Sequence, residues 1–412
     1  MNSRRIIPAV CSVAIAAAVV LLAACSEDSR SPLSPDAPES DSGLPEDQAG
    51  SPLSVLLAFE EKLTASDGSA DDHFNTVAIG GDFAIVGASE NDDHGGSSGS
   101  AYVFERGGGG WNEVAKLTAS DAAAADQFGW SVAISGNRAI VGAVGDDDNG
   151  LSSGSAYVFD GAAGWAEVAK LTASDGAGAD WFGWKVAISG DLALVGALND
   201  DDDGENSGSA YVFDGGAGWA EVAKLTAADG AAGDRFGASV ALSGTLAVVG
   251  ASRDGDSGAE SGSAYVFDGA AGWTEVAKLT ASDGAAGDIF GHSVAISGAL
   301  ALVGAPRDSD HGAESGSAYV FDGGAGWNEV AKLTPSDGAA GDWFGVSLAI
   351  SGDVALVGAL QDDDAGNDSG SAYVFDAGAG WNEVGKLTAP DGAAGDGFGS
   401  RVAISGDLAL VG

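Results

Sequence analysis

The chain has 412 residues and is strongly acidic, with 61 Asp and Glu side chains against 17 Lys and Arg and a net charge of −44. Because nucleic-acid binding needs a basic patch, this charge argues against a nucleic-acid partner. Both cysteines, Cys11 and Cys25, lie near the N-terminus, which excludes a disulfide, a thiol nucleophile or a cysteine-ligated zinc in the rest of the chain.

The N-terminus has the pattern of an export signal. Arg4 and Arg5 precede an uncharged apolar run that ends in Leu22-Ala23-Ala24-Cys25. This end resembles the lipobox of bacterial lipoproteins, whose cysteine carries the lipid in the mature protein. We therefore predict that residues 1–24 are a lipoprotein signal peptide outside the fold and that Cys25 is lipidated. The alternative is an uncleaved membrane-spanning helix, for which the run is just long enough. A weak twin-arginine likeness leaves the export route open.

The next segment has the composition of a flexible tether. Five of the nine prolines lie between Ser26 and Pro52, among Ser, Asp and Glu and with almost no large apolar residue. Such a segment cannot bury enough apolar surface to form a core. We predict that residues 25–52 are a disordered, lipid-anchored linker and that residues 53–412 form the folded domain.

The folded part consists of one repeated unit. The register is marked by a phenylalanine that recurs every 54 residues, at Phe74, Phe128, Phe182, Phe236, Phe290, Phe344 and Phe398. A tryptophan and a tyrosine recur with it, at Trp111, Trp165, Trp219, Trp273, Trp327 and Trp381 and at Tyr102, Tyr157, Tyr211, Tyr265, Tyr319 and Tyr373. A period near 50 indicates a propeller or a solenoid. Because identical positions recur in every unit, we expect these aromatic rings to fill the core.

Each unit contains four short apolar segments separated by Gly, Ser and Asp. In the unit that begins at Phe182 they are residues 185–188, 192–195, 210–213 and 221–225. The pattern predicts an all-β, seven-bladed β-propeller of four-stranded blades, and the 67 glycines argue against a helical solenoid.

The two ends of the chain are predicted to complete the seventh blade together. Residues 57–64 align with a fourth strand, and residues 401–412 supply a first and a second strand. Joining the ends closes the ring and removes exposed sheet edges. The third strand, with its tyrosine near position 427, would then be missing, so we predict that the C-terminus is truncated.

The units resemble the FG-GAP repeat, the blade of integrin α-subunit propellers and of many bacterial surface proteins. The likeness rests on Phe128-Gly129, Val141-Gly142-Ala143 and Gly304-Ala305-Pro306, and it covers residues 74–412. Asn75 replaces the glycine in the first unit. The resemblance implies a propeller and a ligand-binding face. The integrin-type calcium loop between the first two strands is absent, since that connection is only Ser189-Gly190-Asp191 and its equivalents.

Carboxylates instead gather in the loop between the second and third strands. Most units place Asp four and six residues after the glycine of the Val-Gly-Ala motif, with Gly at eight. Alternate oxygens and a glycine bend are typical of calcium loops, so Ca²⁺ is the candidate cofactor. The alternative is that Asp and Gly merely form turns and the charge is solvated. The candidate metal ligands are Asp146, Asp148, Asp200, Asp202, Asp254, Asp256, Asp308, Asp310, Asp362 and Asp364.

A second set of carboxylates lies between each fourth strand and the next blade. Because neighbouring strands alternate in direction, both sets should lie on one face of the ring and leave the other face nearly free of acid. Trp181 and Trp343 lie in loops of this face and do not recur in every unit, which makes them candidate ligand contacts. Burial between blades is the simpler interpretation of Trp130 and Trp184. The four histidines do not recur at one register and are interpreted as incidental surface residues.

The near-identical copies of each polar residue argue against catalysis, which brings unlike groups together. We predict a lipid-anchored binding or adhesion module of the bacterial cell envelope, at the outer membrane or cell surface, that recognises a protein or glycan with calcium as candidate cofactor. We expect a monomer that contacts the membrane only through its N-terminal lipid, and no enzymatic activity. The alternative is a polysaccharide-active hydrolase or lyase on the same scaffold.

Overall fold

The fold of the chain is seen in a computed structural model, which describes residues 18–23, 57–69 and 71–412. Within these residues the strands form seven four-stranded antiparallel sheets, and the helical structure consists of five single-turn 3-10 helices. The prediction of an all-β propeller is therefore confirmed. The predicted lipidation site Cys25 and the linker 25–52 lie outside the described residues.

Six blades each take four consecutive strands, and the order of strands in each sheet follows the chain. Blade 1 comprises β3 (Phe74–Gly80), β4 (Phe83–Ala88), β5 (Ser100–Gly107) and β6 (Gly110–Leu117). Blade 2 comprises β7 (Phe128–Ser135), β8 (Arg138–Ala143), β9 (Ser155–Asp160) and β10 (Ala166–Leu171). Blade 3 comprises β11 (Phe182–Ser189), β12 (Leu192–Ala197), β13 (Ser209–Asp214) and β14 (Ala220–Leu225). Blade 4 comprises β15 (Phe236–Ser243), β16 (Leu246–Ala251), β17 (Ser263–Asp268) and β18 (Thr274–Leu279). Blade 5 comprises β19 (Ser293–Ser297), β20 (Leu300–Ala305), β21 (Ser317–Asp322) and β22 (Asn328–Leu333). Blade 6 comprises β23 (Phe344–Ser351), β24 (Val354–Ala359), β25 (Ser371–Asp376) and β26 (Asn382–Leu387).

Short connections shape each blade. The first two strands are joined by a two-residue turn, such as Gly190-Asp191, whose glycine has φ of 60°. In blades 2 to 6 the third and fourth strands are joined through a 3-10 turn capped by the aspartate that ends the third strand. The 3-10 helices are Gly161–Ala163, Gly215–Ala217, Gly269–Ala271, Gly323–Ala325 and Ala377–Ala379.

The seventh blade is built from both ends of the chain, as predicted. It contains β2 (Leu57–Leu63), β1 (Ala18–Ala23), β28 (Leu408–Val411) and β27 (Val402–Ser405), in that spatial order. The sequence predicts that the third place in this blade is missing and that the export signal lies outside the fold. In the structure Ala18–Ala23 takes that place and pairs antiparallel with both β2 and β28.

Ala18–Ala23 can take this third place because, without it, β2 and β28 would each have a row of unpaired backbone N–H and C=O groups. An apolar segment with β-branched residues can pair with both rows. Cleavage of the export signal and truncation of the C-terminus stay predictions. Among the described residues, no helix has the length and apolarity needed to cross a membrane.

The ring is closed at its centre. Each first strand contacts the first strand of the next blade, and β27 of the seventh blade contacts β3 of the first. The backbone N–H of Gly81 donates to Ser405 Oγ across this junction at 3.1 Å, as Gly190 N–H does to Ser135 Oγ between blades 2 and 3. The first strands therefore line the axis of the propeller and the fourth strands lie outermost.

The core lies between blades, where the recurring aromatic rings meet. In blade 2, Phe128 packs edge-on against Tyr157 and Phe159, with ring centroids 5.5 and 5.9 Å apart. Both Phe128 and Tyr157 are fully buried, and their equivalents repeat this arrangement in the other complete blades. The recurring tryptophans are half-buried apart from the buried Trp111, and Trp165 packs against Phe83 of the preceding blade. The prediction that the Phe and Tyr series form the core is confirmed.

Candidate functional site

The loops that follow the second and fourth strands lie together on one side of the ring, which we call the acidic face. In blade 2 the loop after β6 brings Asp121 beside Asp146 and Asp148 from the loop after β8. Carboxylate oxygens of these three residues lie within 4.8 Å of one another. The prediction that both sets of carboxylates share one face is confirmed, because the strands alternate in direction.

A lysine occupies the space between the three carboxylates. Lys170 on β10 places its Nζ 2.7 Å from Asp121, 3.0 Å from Asp146 and 2.6 Å from Asp148. The Tyr157 hydroxyl lies 2.9 Å from oxygens of both Asp121 and Asp146. Asp146 is buried and also accepts a hydrogen bond from Ser155 Oγ at 2.9 Å. Each such set of three aspartates, one lysine and one tyrosine is called a lysine–carboxylate cluster below.

The same cluster recurs in five blades, at the positions given by the repeat. The first blade has Asn91 in place of the buried aspartate, and there Lys116 pairs with Asp67 and Asp93. The five aspartate sets are Asp121, Asp146, Asp148; Asp175, Asp200, Asp202; Asp229, Asp254, Asp256; Asp283, Asp308, Asp310; and Asp337, Asp362, Asp364. The lysines are Lys170, Lys224, Lys278, Lys332 and Lys386.

Ionisation in the cluster follows from these contacts. Burial opposes ionisation of Asp121, but hydrogen bonds from Lys170 and Tyr157 outweigh it, so the pKa of Asp121 is lowered. Burial also opposes the charge of Lys170, yet the surrounding carboxylates raise its pKa. Burial and the two neighbouring carboxylates raise the pKa of Tyr157, which therefore stays a neutral hydrogen-bond donor.

The carboxylate spacing is compatible with a metal ion, and the ten predicted ligands all belong to the five clusters. In this structure, however, the ammonium group of the lysine already lies where a cation would sit. A divalent ion would have to displace it and then find six to eight oxygens in place of three monodentate carboxylates. The clusters as arranged therefore fit an internal ammonium better than calcium.

Other aspartates of these loops form turns, as the alternative interpretation predicts. Asp147 accepts the backbone N–H of Ser152 at 2.7 Å, and Asp201 accepts that of Asn206 at 2.7 Å. The expectation that the opposite face is nearly free of acid is wrong. Five aspartates cap the 3-10 turns on that face, because a side-chain oxygen there satisfies a free N–H.

The two predicted ligand-contact tryptophans lie on the acidic face in different surroundings. Trp181 is 36% exposed and stacks on Trp184 with centroids 5.4 Å apart, and Trp184 in turn contacts Trp130 at 5.1 Å. Trp184 Nε1–H donates to the carbonyl of Ala238 at 3.2 Å. The sequence indicated that these tryptophans are irregular, but not that three of them join across two blades.

Trp343 is half-buried and does not join this stack. Its Nε1–H donates to Glu314 at 3.2 Å, and the Arg307 guanidinium lies 5.6 Å from the centre of a Trp343 ring. The structure therefore gives two separate aromatic sites on the acidic face, one formed by stacked tryptophans and one by a tryptophan held by charged groups.

Comparison with known families gives seven matches to the FG-GAP repeat, over residues 58–104, 111–159, 165–213, 219–267, 273–321, 327–375 and 381–412. The chain belongs to the FG-GAP repeat family. Each match begins at or near an outermost strand and continues into the next blade, through three inner strands in the first six matches and through β27 and β28 in the last. The matched unit therefore spans the connection between neighbouring blades.

Two other comparisons add little to this assignment. No curated protein matches the sequence. Among solved structures, the chain is similar to Sqt1 of Saccharomyces cerevisiae, with 11% identity, a TM-score of 0.46, and coverage of 81% of this chain and 78% of that one.

The glycines of the FG-GAP motif have a packing role here. Gly142, from the Val-Gly-Ala segment of blade 2, lies directly against the backbone carbonyl of Gly183, from the Phe-Gly segment of blade 3. Gly183 has φ of 90° and itself approaches the carbonyl of Ser155. At the ring junction Gly412 approaches the backbone of Asn75, so the same seam closes the propeller.

The sequence analysis missed a group of residues on the propeller axis. His292, interpreted as an incidental surface residue, is exposed, but it faces a central cavity that Lys185 and Arg401 also line. Lys185 and Arg401 both stand three residues after the motif phenylalanine, where four other units have Ser. The sequence therefore showed that these two residues depart from the repeat. That they form a basic site could be recognised only once the structure placed this position at the propeller axis.

Proposed function

We propose that the protein is a monomeric binding module of the bacterial cell surface, held there by a lipid on Cys25. Its acidic face would recognise a protein or glycan through Trp181 and Trp343. The observation that carries this proposal is the stack of Trp181 on Trp184 at a centroid distance of 5.4 Å, with Trp181 exposed. An exposed indole backed by a second ring offers a rigid apolar platform to a sugar or a protein side chain.

The repeated polar residues support the same interpretation. In five blades the buried carboxylate of each lysine–carboxylate cluster is engaged by the lysine and the tyrosine of the same cluster. Glycoside hydrolysis needs two carboxylic groups in different environments, one of them free to donate a proton. The clustered carboxylates recur unchanged in five blades and are held by the same lysine and tyrosine contacts, which favours a structural role, so a polysaccharide hydrolase or lyase is the less favoured alternative.

A glycan array probed with the full-length chain in detergent tests this proposal. We expect that Trp181→Ala and Trp343→Ala each weaken binding to the retained glycans by about tenfold, the usual scale for losing an aromatic anchor. The matched control is Val222→Ala, since Val222 is 45% exposed on the outermost strand β14.

Equal binding by the tryptophan variants and wild type would refute the assignment of the contact surface. The same samples should be assayed for new reducing ends or unsaturated sugars. Release of either by the wild type would support the enzyme alternative.

Calcium as a cofactor was predicted from the sequence alone, and the lysine inside each cluster argues against it in the wild type. Lys170→Met tests whether the lysine is what keeps calcium out. In the wild type we expect calcium and chelator to give nearly the same melting temperature, because Lys170 supplies the positive charge of the cluster. In the variant, three carboxylates lose that charge, so calcium should bind saturably and raise the melting temperature. Calorimetric titration of both proteins gives the stoichiometry. Tight calcium binding by the wild type would overturn this expectation and make calcium a true cofactor.

A further inference from the structure

The axis of the propeller contains a cavity of about 400 Å³. Each of the seven blades contributes two consecutive residues at its first strand to the lining. The first of the two is polar or charged, and the second is Val or Leu. Five of these seven positions carry hydroxyls and two carry cations. The seven polar positions are Thr76, Ser131, Lys185, Ser239, Ser293, Ser347 and Arg401.

The cavity is strongly basic in a protein that is strongly acidic. Besides the lysine that recurs on the fourth strands, seven described Lys and Arg side chains remain, and five of them line the cavity. The two that lie elsewhere are Arg106 and Arg138. The single carboxylate in the lining is Glu260. The five cations are Lys185, Arg235, Arg253, Arg307 and Arg401.

These cations are poorly compensated by the protein. Within the described chain, Lys185 has no ion pair or side-chain hydrogen bond, and the buried Nε of both Arg307 and Arg401 has no hydrogen-bond partner. Two carboxylates make only long ion pairs with these cations: Glu260 lies 3.9 Å from Arg253 Nε, and Glu314 lies 3.9 Å from Arg307 Nε. Burial and the charge of Arg401 lower the pKa of Lys185 to about 7. Burial and the charges of Lys185, Arg401 and Arg307 lower the pKa of His292 to about 4.

Unsatisfied buried donors and crowded like charges are costly, and an anion would relieve both. We propose that the central cavity is a binding site for a small oxyanion carrying phosphate, sulfate or several carboxylates. Ammonium, guanidinium and hydroxyl groups are the donors that such anions prefer, and guanidinium can bind two oxygens at once. The cavity volume lies in the range of small-molecule sites and exceeds the space that a bare phosphate needs. This site does not depend on the proposed recognition of a protein or glycan.

Calorimetry on the full-length chain in detergent tests the proposal, with inorganic phosphate and citrate as probes. We expect saturable binding of at least one probe at about pH 6, weakened about tenfold by Lys185→Ser or Arg401→Ser. Serine is the residue that four other units carry at this position, so both variants should fold. Arg106→Ser is the matched control, because it removes one exposed positive charge away from the cavity.

The two probes and the control separate the possible outcomes. Preference for citrate would identify a polycarboxylate site, and preference for phosphate a tetrahedral-oxyanion site, and either supports the proposal. It is overturned if neither probe binds, or if Arg106→Ser weakens binding as much as the cavity variants.

Dependence on pH gives a second readout that a merely structural role of Lys185 would not produce. We expect the affinity of the wild type for sulfate, whose own charge is constant in this range, to fall from about pH 6 to about pH 9, as Lys185 loses its proton, whereas that of Lys185→Ser stays constant. The other charged or titratable groups of the cavity are Arg235, Arg253, Glu260, His292, Arg307 and Arg401. Arginine and glutamate side chains keep their charge over this range, and His292 is already neutral. An affinity in the wild type that does not change with pH would contradict the role given to Lys185.

Discussion

Replacing Asp146 by Ala is expected to destabilise the propeller by about 3 kcal/mol, because it breaks a buried, charged hydrogen-bond network on one side only. Asp146 is 4% exposed and accepts from Tyr157, Ser155 and Lys170. Its loss leaves the Ser155 hydroxyl unpaired and removes the one buried negative charge beside Lys170. Urea denaturation followed by tryptophan fluorescence measures the change.

The matched control lies in the same cluster. The side chain of Asp148 contacts the same lysine at 2.6 Å but is 56% exposed. We expect Asp148→Ala to cost less than about 1 kcal/mol, since exposed ion pairs contribute little. Similar losses from the two variants would show that burial does not decide the contribution of these carboxylates, contrary to the argument above.

Replacing Gly142 by Ala is expected to cost about 3 kcal/mol or more through direct overlap between blades. A Cβ at this position would overlap the carbonyl oxygen of Gly183, which belongs to the backbone of the next blade and cannot rotate away. The two blades would have to separate locally, which would also loosen the packing of Phe182. The midpoint of urea denaturation again gives the size of the effect.

Gly385 provides the control for this substitution. It lies on β26, a Cβ added there would meet no atom within 4 Å, and the other complete blades carry Ala at the equivalent position. Gly385→Ala should therefore be neutral or stabilise by up to about 1 kcal/mol, since alanine restricts the unfolded chain. A loss of stability like that of Gly142→Ala would mean that the close approach to Gly183 is not the cause.

Local patterns were enough to predict the architecture. The spacing of Phe128 and its equivalents gives the number of blades, and the short apolar segments give four strands in each. Closure by both termini followed from the alignment of residues 57–64 with a fourth strand. The filling of the third place by Ala18–Ala23 did not, because an apolar segment of this kind also has the pattern of an export signal.

The candidate sites were predicted only in part. Asp146 and Asp148 were identified from their spacing within one loop, but Lys170 lies 24 residues beyond Asp146 and Asp121 lies 49 residues before Lys170. No local pattern indicates that these groups meet, so the cation inside each cluster was missed. The stack of Trp130, Trp184 and Trp181 was missed for the same reason.

The sequence by itself therefore determined the period, the strands, the family and the placement of two sets of carboxylate loops on the same face, because these depend on residues that are close along the chain. Only the tertiary structure decided that Lys170 lies among three aspartates and that Lys185 and Arg401, from distant blades, face one cavity. Ring closure brings equivalent positions of all seven blades to one axis. A residue that departs from the repeat in one blade therefore lies near residues of other blades, which the sequence of its own repeat does not reveal.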